Sequence, residues 1–164
     1  MNINYFILSF VLIPLFAFVI TMFTKEKQEK WIADITTYTI GSVLFILTSF
    51  IGYWILSGSN NLNIKEIVLY QSKDYTFLID FYFDKVTAVY LFVGSFISFL
   101  IVRYSSYYMH LEKGYKRFFA TILFFFFSYN FTVLAGNFET LFIGWEMIGI
   151  SSFLLIAFYR ERYL

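Results

Sequence analysis

One carboxylate in this chain stands where a charge is costly. Glu146 falls inside Asn137-Phe-Glu-Thr-Leu-Phe-Ile-Gly-Trp-Glu-Met-Ile-Gly-Ile-Ser-Ser-Phe-Leu-Leu-Ile-Ala-Phe158, an otherwise apolar stretch long enough to cross a bilayer. At about 1.5 Å per residue from Phe138, it lies roughly 12 Å into a hydrocarbon core about 30 Å thick. A charged group at a helix centre costs roughly 2.5 to 3.5 kcal/mol on insertion scales, so an acid at that depth is a functional candidate by default. The chemistry it could perform is proton carriage. Burial disfavours a carboxylate's charged form and a nearby cation favours it, so movement of such a partner makes the group take up or release a proton. The plainer alternative is a static carboxyl that hydrogen-bonds between helices. Gly149, one turn further along the same face, is expected to be a close-packing position.

Other polar residues have weaker claims. Asn130 lies about 18 Å from the Phe118 end of its helix, close to the depth of Glu146, and could hydrogen-bond the carboxyl or serve as an interhelical contact. His110 is the only histidine and shares a basic connection with Glu112, Lys113, Lys116 and Arg117. It could assist proton access, but solvated positive-inside charge is the better explanation of the segment. Asp34 beside Lys30 suits a helix start, where a carboxylate complements the macrodipole. Asp80, Asp84 and Lys85 suit a structural cluster at the start of another helix.

Composition narrows the classes. The chain is 60% hydrophobic, 25% aromatic and 14% charged, with mean hydropathy +0.70, which is the profile of an integral membrane protein. With 24 Phe and 14 Tyr, no single aromatic can be chosen as a cofactor contact; they supply lipid-facing bulk, interfacial belts and packing. The absence of Cys and the single His leave no thiolate ligands for an iron–sulfur cluster and no multi-histidine metal site. No glycine-rich dinucleotide fingerprint or P-loop occurs either. Neither a cofactor nor a metal is expected in this chain, so any associated redox chemistry belongs to a partner.

Five apolar runs must position these residues: Tyr5 to Phe23, Ile32 to Leu56, Val86 to Val102, Phe118 to Leu134, and Phe138 to Tyr159. The first has neither a basic segment before it nor a small-residue cleavage site after it, so it is expected to remain as a helix, kinked at Pro14. The connection from Ser57 to Lys85 contains two β-prone runs, Ile67 to Gln71 and Tyr75 to Ile79, around a polar turn at Ser72-Lys73-Asp74. It reads as an exposed hairpin on the outer face. Nine Lys and Arg residues (Lys25, Lys27, Lys30, Arg103, Lys113, Lys116, Arg117, Arg160, Arg162) lie on one side and three (Lys65, Lys73, Lys85) on the other. The positive-inside rule places the larger set in the cytoplasm, with the N-terminus outside and the C-terminus cytoplasmic. The fold class is therefore all-α integral membrane, with about five transmembrane helices and an outer β-hairpin between the second and third. The chain closes abruptly at Tyr163-Leu164, as a truncated protein would.

Tyr104-Ser-Ser-Tyr-Tyr-Met-His-Leu-Glu-Lys-Gly-Tyr-Lys-Arg-Phe-Phe119, followed by a helix and then by Gly144-Trp-Glu-Met-Ile-Gly149 and Ser151-Ser-Phe-Leu-Leu-Ile156, carries a resemblance. It resembles the chain 5 (L-type) antiporter-like membrane subunit of NADH:quinone oxidoreductase, respiratory complex I. It is also similar to the large subunit of multisubunit sodium/proton antiporters and to the membrane subunit of inorganic-carbon uptake systems. The resemblance covers essentially the whole chain, including the hairpin and Phe83-Asp84-Lys85. It implies the N-terminal portion of an inverted-repeat fold. Residues 1–117 would form a leading region of three helices, and 118–164 the start of the proton-translocating domain.

The same resemblance implies that Glu146 belongs to a proton channel and is coupled to a lysine two helices later, beyond residue 164. The expected function is a proton-translocating, non-redox membrane subunit of such a complex, probed against two alternatives. One is an antiporter or carbon-uptake subunit, and the other a truncated, non-conducting assembly piece. Expected partners are the bilayer, other membrane subunits and protons, with sodium as the alternative ion and no nucleic acid. The expected location is a bacterial inner membrane.

Overall fold

The computed structural model describes residues 3–26, 28–71 and 76–158. The polar turn at Ser72-Lys73-Asp74, the β-prone Tyr75, the cations Lys27, Arg160 and Arg162, and the closing Tyr163-Leu164 lie outside the described residues.

Five helices form: α1 (Ile3–Phe23), α2 (Glu29–Leu56), α3 (Lys85–Tyr108), α4 (Tyr115–Val133) and α5 (Phe138–Ile156). Several extend past the apolar runs. Hydropathy marks what sits in lipid, whereas helical hydrogen bonding runs on until something caps it. The Asp84 carboxylate starts α3 by accepting from the Thr87 N–H at 2.8 Å. Asn137 starts α5 in the same way, its Oδ1 accepting from the Thr140 N–H at 2.8 Å. Gly114 precedes α4 with a φ of +89°, a left-handed turn suited to glycine. In α2 the first turn holds Glu29, while Asp34 lies exposed in the second, so the dipole role read for Asp34 falls to Glu29.

Between α2 and α3 stand two antiparallel strands, β1 (Leu62–Gln71) and β2 (Thr76–Phe83). Leu62 pairs with Phe83 and Ile64 with Phe81. Ile64, Phe81 and Phe83 are buried, so the strands extend beyond the β-prone runs because one face is pinned to the bundle. Phe83 meets Phe50 and Trp54 edge-on, with ring centroids 5.2 Å apart in each case. The other edge of β2 is bonded to the α4–α5 connection: the Tyr82 N–H donates to the Leu134 carbonyl at 2.7 Å, and the Gly136 N–H to the Asp80 carbonyl at 2.7 Å. An edge that would otherwise be free to pair is thereby closed.

Among the described residues, four helices (α1, α2, α3 and α5) are long and apolar enough to cross a membrane; α4, the fourth of the five expected spans, is not among them. Its position in the bundle explains this. Phe119, Leu123 and Phe126 are fully buried on α4, and so are the polar Ser128 and Asn130. A helix enclosed by protein can carry polar groups that a lipid-facing helix cannot. All five helices share one integral membrane bundle, with the hairpin and the 134–137 connection at one end and the 24–28 and 109–114 connections at the other.

Candidate functional site

Asn137 holds α5 in place from its hairpin end. Besides capping the helix, its Nδ2 donates to the Leu78 carbonyl at 2.8 Å, and Thr140 Oγ1 accepts from the Asp80 N–H at 3.0 Å. From this anchor α5 lays one face on α4. Thr140, Gly144 and Ser151 form that face, and all three are buried. Gly144 is the tightest point: a β-carbon there would stand 2.4 Å from Thr132 Oγ1 and 3.0 Å from the Thr132 α-carbon.

Glu146 lies on the opposite face. Two residues beyond Gly144 turn it about 200° around the helix axis, and its side chain is exposed. The expectation of a buried Glu146 is thus corrected for the described residues: its depth along the helix is mid-span, but no other helix of this chain covers it. Phe142, Ile150 and Phe153, at 60%, 54% and 67% exposure, continue the same stripe. Gly149 shares that stripe, and a β-carbon on it would meet nothing within 4 Å. Among the described residues the close-packed glycine of α5 is therefore Gly144, and Gly149 packs against none of them. Both carry the same small-residue signal, and only the docking of α4 separates them.

Asn130 is not brought to Glu146. It is fully buried in α4, and its Nδ2 donates to the carbonyl oxygen of Phe10 in α1 at 2.9 Å. That carbonyl is the one that the imino nitrogen of Pro14 cannot serve. The helix α1 runs unbroken through Pro14. Asn130 Oδ1 is buried without a hydrogen-bond partner among the described residues.

His110 sits at the far end of the bundle, exposed, with Nδ1 3.2 Å from Glu29 Oε2. The Leu111 N–H donates to the same oxygen at 3.4 Å, so Glu29 ties the α3–α4 connection to the start of α2. Sequence reasoning passed over Tyr115, the first residue of α4 and buried. Its phenol is pushed up to about 12, first by burial and then by the negative charge of Glu29 and Asp34. Asp80 is buried at the hairpin junction, and a β-carbon on Gly136 would stand 2.8 Å from its carboxyl carbon. Asp84 and Lys85 begin α3. Taken together, the candidate site is a single exposed acid at mid-helix on an apolar face.

Residues 69–119 match the family described as NADH-Ubiquinone oxidoreductase (complex I), chain 5 N-terminus. The NADH-quinone oxidoreductase subunit L of Escherichia coli is 30% identical over 150 residues, covering 91% of this chain and 24% of that protein. The subunit of the same name from Neisseria meningitidis serogroup A is 32% identical over 157 residues, 94% of this chain and 23% of the relative. NADH-ubiquinone oxidoreductase chain 5 of Mytilus edulis is 30% identical over 123 residues, 75% of this chain and 22% of the relative. The chain spans about a quarter of the length of these relatives.

Proposed function

Because this chain matches the N-terminal portion of the chain 5 (subunit L) family over most of its length, we propose that it is part of a proton-translocating membrane subunit of an NADH:quinone oxidoreductase complex, with Glu146 as a proton carrier. One observation carries the reading: a lone carboxyl at mid-helix stands on a face of α5 that the described residues leave uncovered. Left in lipid, that carboxylate would cost roughly 2.5 to 3.5 kcal/mol. A further membrane segment bearing a cation offsets the cost by pairing with it, and a change in the distance between the two makes Glu146 bind or release a proton. The packed Gly144 face holds the helix still while its opposite face does the chemistry.

The relatives named above are subunit L and chain 5 proteins, which favours the respiratory reading over a sodium/proton antiporter or a carbon-uptake system. No thiolate ligand exists in the chain, so electrons would pass through partner subunits and charge through this one. The cations at and beside the 24–28 and 109–114 connections, Lys25, Lys30, Lys113, Lys116 and Arg117, would face the cytoplasm of a bacterial inner membrane and the hairpin the outside.

Glu146→Gln in the complete protein is the test. The amide is nearly isosteric and keeps hydrogen-bonding capacity, but it cannot carry a proton. NADH-driven proton uptake by membrane vesicles should fall sharply at unchanged complex content. Full pumping by the variant would sink the assignment.

A further inference from the structure

At the hairpin end of the bundle, residues of α2 and α3 line a groove of about 450 Å³. That size is within the usual range of small-molecule sites, roughly 300 to 1,000 Å³. Its floor is Trp54 and Ala88, at 4% and 5% exposure, and its walls are Ile51, Ile55, Val89 and Phe92. The indole N–H of Trp54 is already spent on the Asn60 carbonyl at 2.8 Å, so the ring offers the groove only apolar surface. Polar character is confined to the ends. Lys85, exposed on the first turn of α3, and Ser59 stand at the top, and Thr48 is at the bottom with its hydroxyl donated to the Leu44 carbonyl.

We propose that this groove is a binding site for one anionic phospholipid, with an acyl chain against Trp54 and Ala88 and the headgroup phosphate on the Lys85 ammonium. Both helices are membrane spans, one ending at Leu56 and the other beginning at Lys85, so the mouth of the groove is at headgroup level. From Lys85 to Phe92 the groove descends about 10 Å into hydrocarbon. A cation above a purely apolar slot matches an amphiphile with an anionic head. The nearest carboxylate in sequence, Asp84, accepts from the Thr87 N–H, and Lys85 forms no ion pair among the described residues. A neutral lipid or an apolar membrane helix would fill the slot without using the charge. The proposal is independent of proton carriage by Glu146, which lies on another helix.

The complete protein is placed in phosphatidylcholine nanodiscs that contain, at equal mole fraction, either phosphatidylglycerol or phosphatidylcholine with a photoactivatable group in the acyl chain. Crosslinked peptides are then mapped by mass spectrometry. Peptides holding Ile51 to Ile55 and Ala88 to Phe92 should be labelled about five-fold more by the phosphatidylglycerol. Labelling around Phe16, exposed on α1, should not depend on the headgroup. Lys85→Gln should bring groove labelling down to the phosphatidylcholine level and leave labelling elsewhere unchanged. Equal labelling of the groove by both lipids would mean ordinary lipid-facing surface and overturn the proposal. So would no labelling by either lipid, which would mean that another protein segment occupies the groove.

Discussion

Asn130 and Phe10 form a repair. The side-chain amide of Asn130 donates across 2.9 Å to the Phe10 carbonyl, which Pro14 deprives of its helical donor. A carbonyl left bare in the apolar middle of the bundle would cost about 1 to 3 kcal/mol. Proline inside a membrane helix is tolerated because a neighbour meets that need, and here the neighbour is α4.

The two residues should therefore be energetically coupled. Asn130→Leu should destabilise the protein by about 1 to 3 kcal/mol by baring the carbonyl. Pro14→Ala restores an N–H to α1, so Asn130→Leu made on that background should cost about 1 kcal/mol less. Unfolding midpoints of the four proteins in mixed detergent measure the difference. Strictly additive effects would show that the contact does not serve the proline.

The two glycines of α5 should respond differently. Gly144→Ala places a methyl against the Thr132 backbone and should cost about 1 to 3 kcal/mol through overpacking. Gly149→Ala, facing open space in this chain, should be neutral or stabilising by up to about 1 kcal/mol through helix propensity. Unfolding of the 164-residue chain in detergent compares them, and equal losses would contradict the face assigned to α5.

Sidedness is open to direct chemistry because the chain has no cysteine. A cysteine at exposed Asn61 should react with an impermeant thiol reagent added to intact cells, and one at exposed Lys113 should not. The reverse pattern would overturn the orientation drawn from charge bias.

The 164-residue chain by itself should insert into vesicles without conducting protons. Among the described residues Glu146 has no covering helix or cationic partner, so no enclosed pathway leads through it. An internal pH dye reports the flux. Proton movement above that of a Glu146→Ala control would show that the uncovered acid suffices.

Sequence alone determined the number and order of the helices, the hairpin between the second and third, and the depth of Glu146. The reason is that a membrane helix satisfies its backbone within its own segment, so apolar length and a capping residue such as Asp84 mark it locally. Sequence did not determine which way each helix faces. In α5 apolar residues surround the axis, and no amphipathic stripe distinguishes the side of Gly144 from the side of Gly149 and Glu146. Only packing against α4 decided that Gly144 goes inward and Glu146 outward. Packing also decided that Asn130 serves Phe10 rather than the carboxyl. In lipid the solvent is as apolar as the side chains, so rotation about a helix axis is set by close fit and by unmet hydrogen bonds, which exist only once the neighbours are in place.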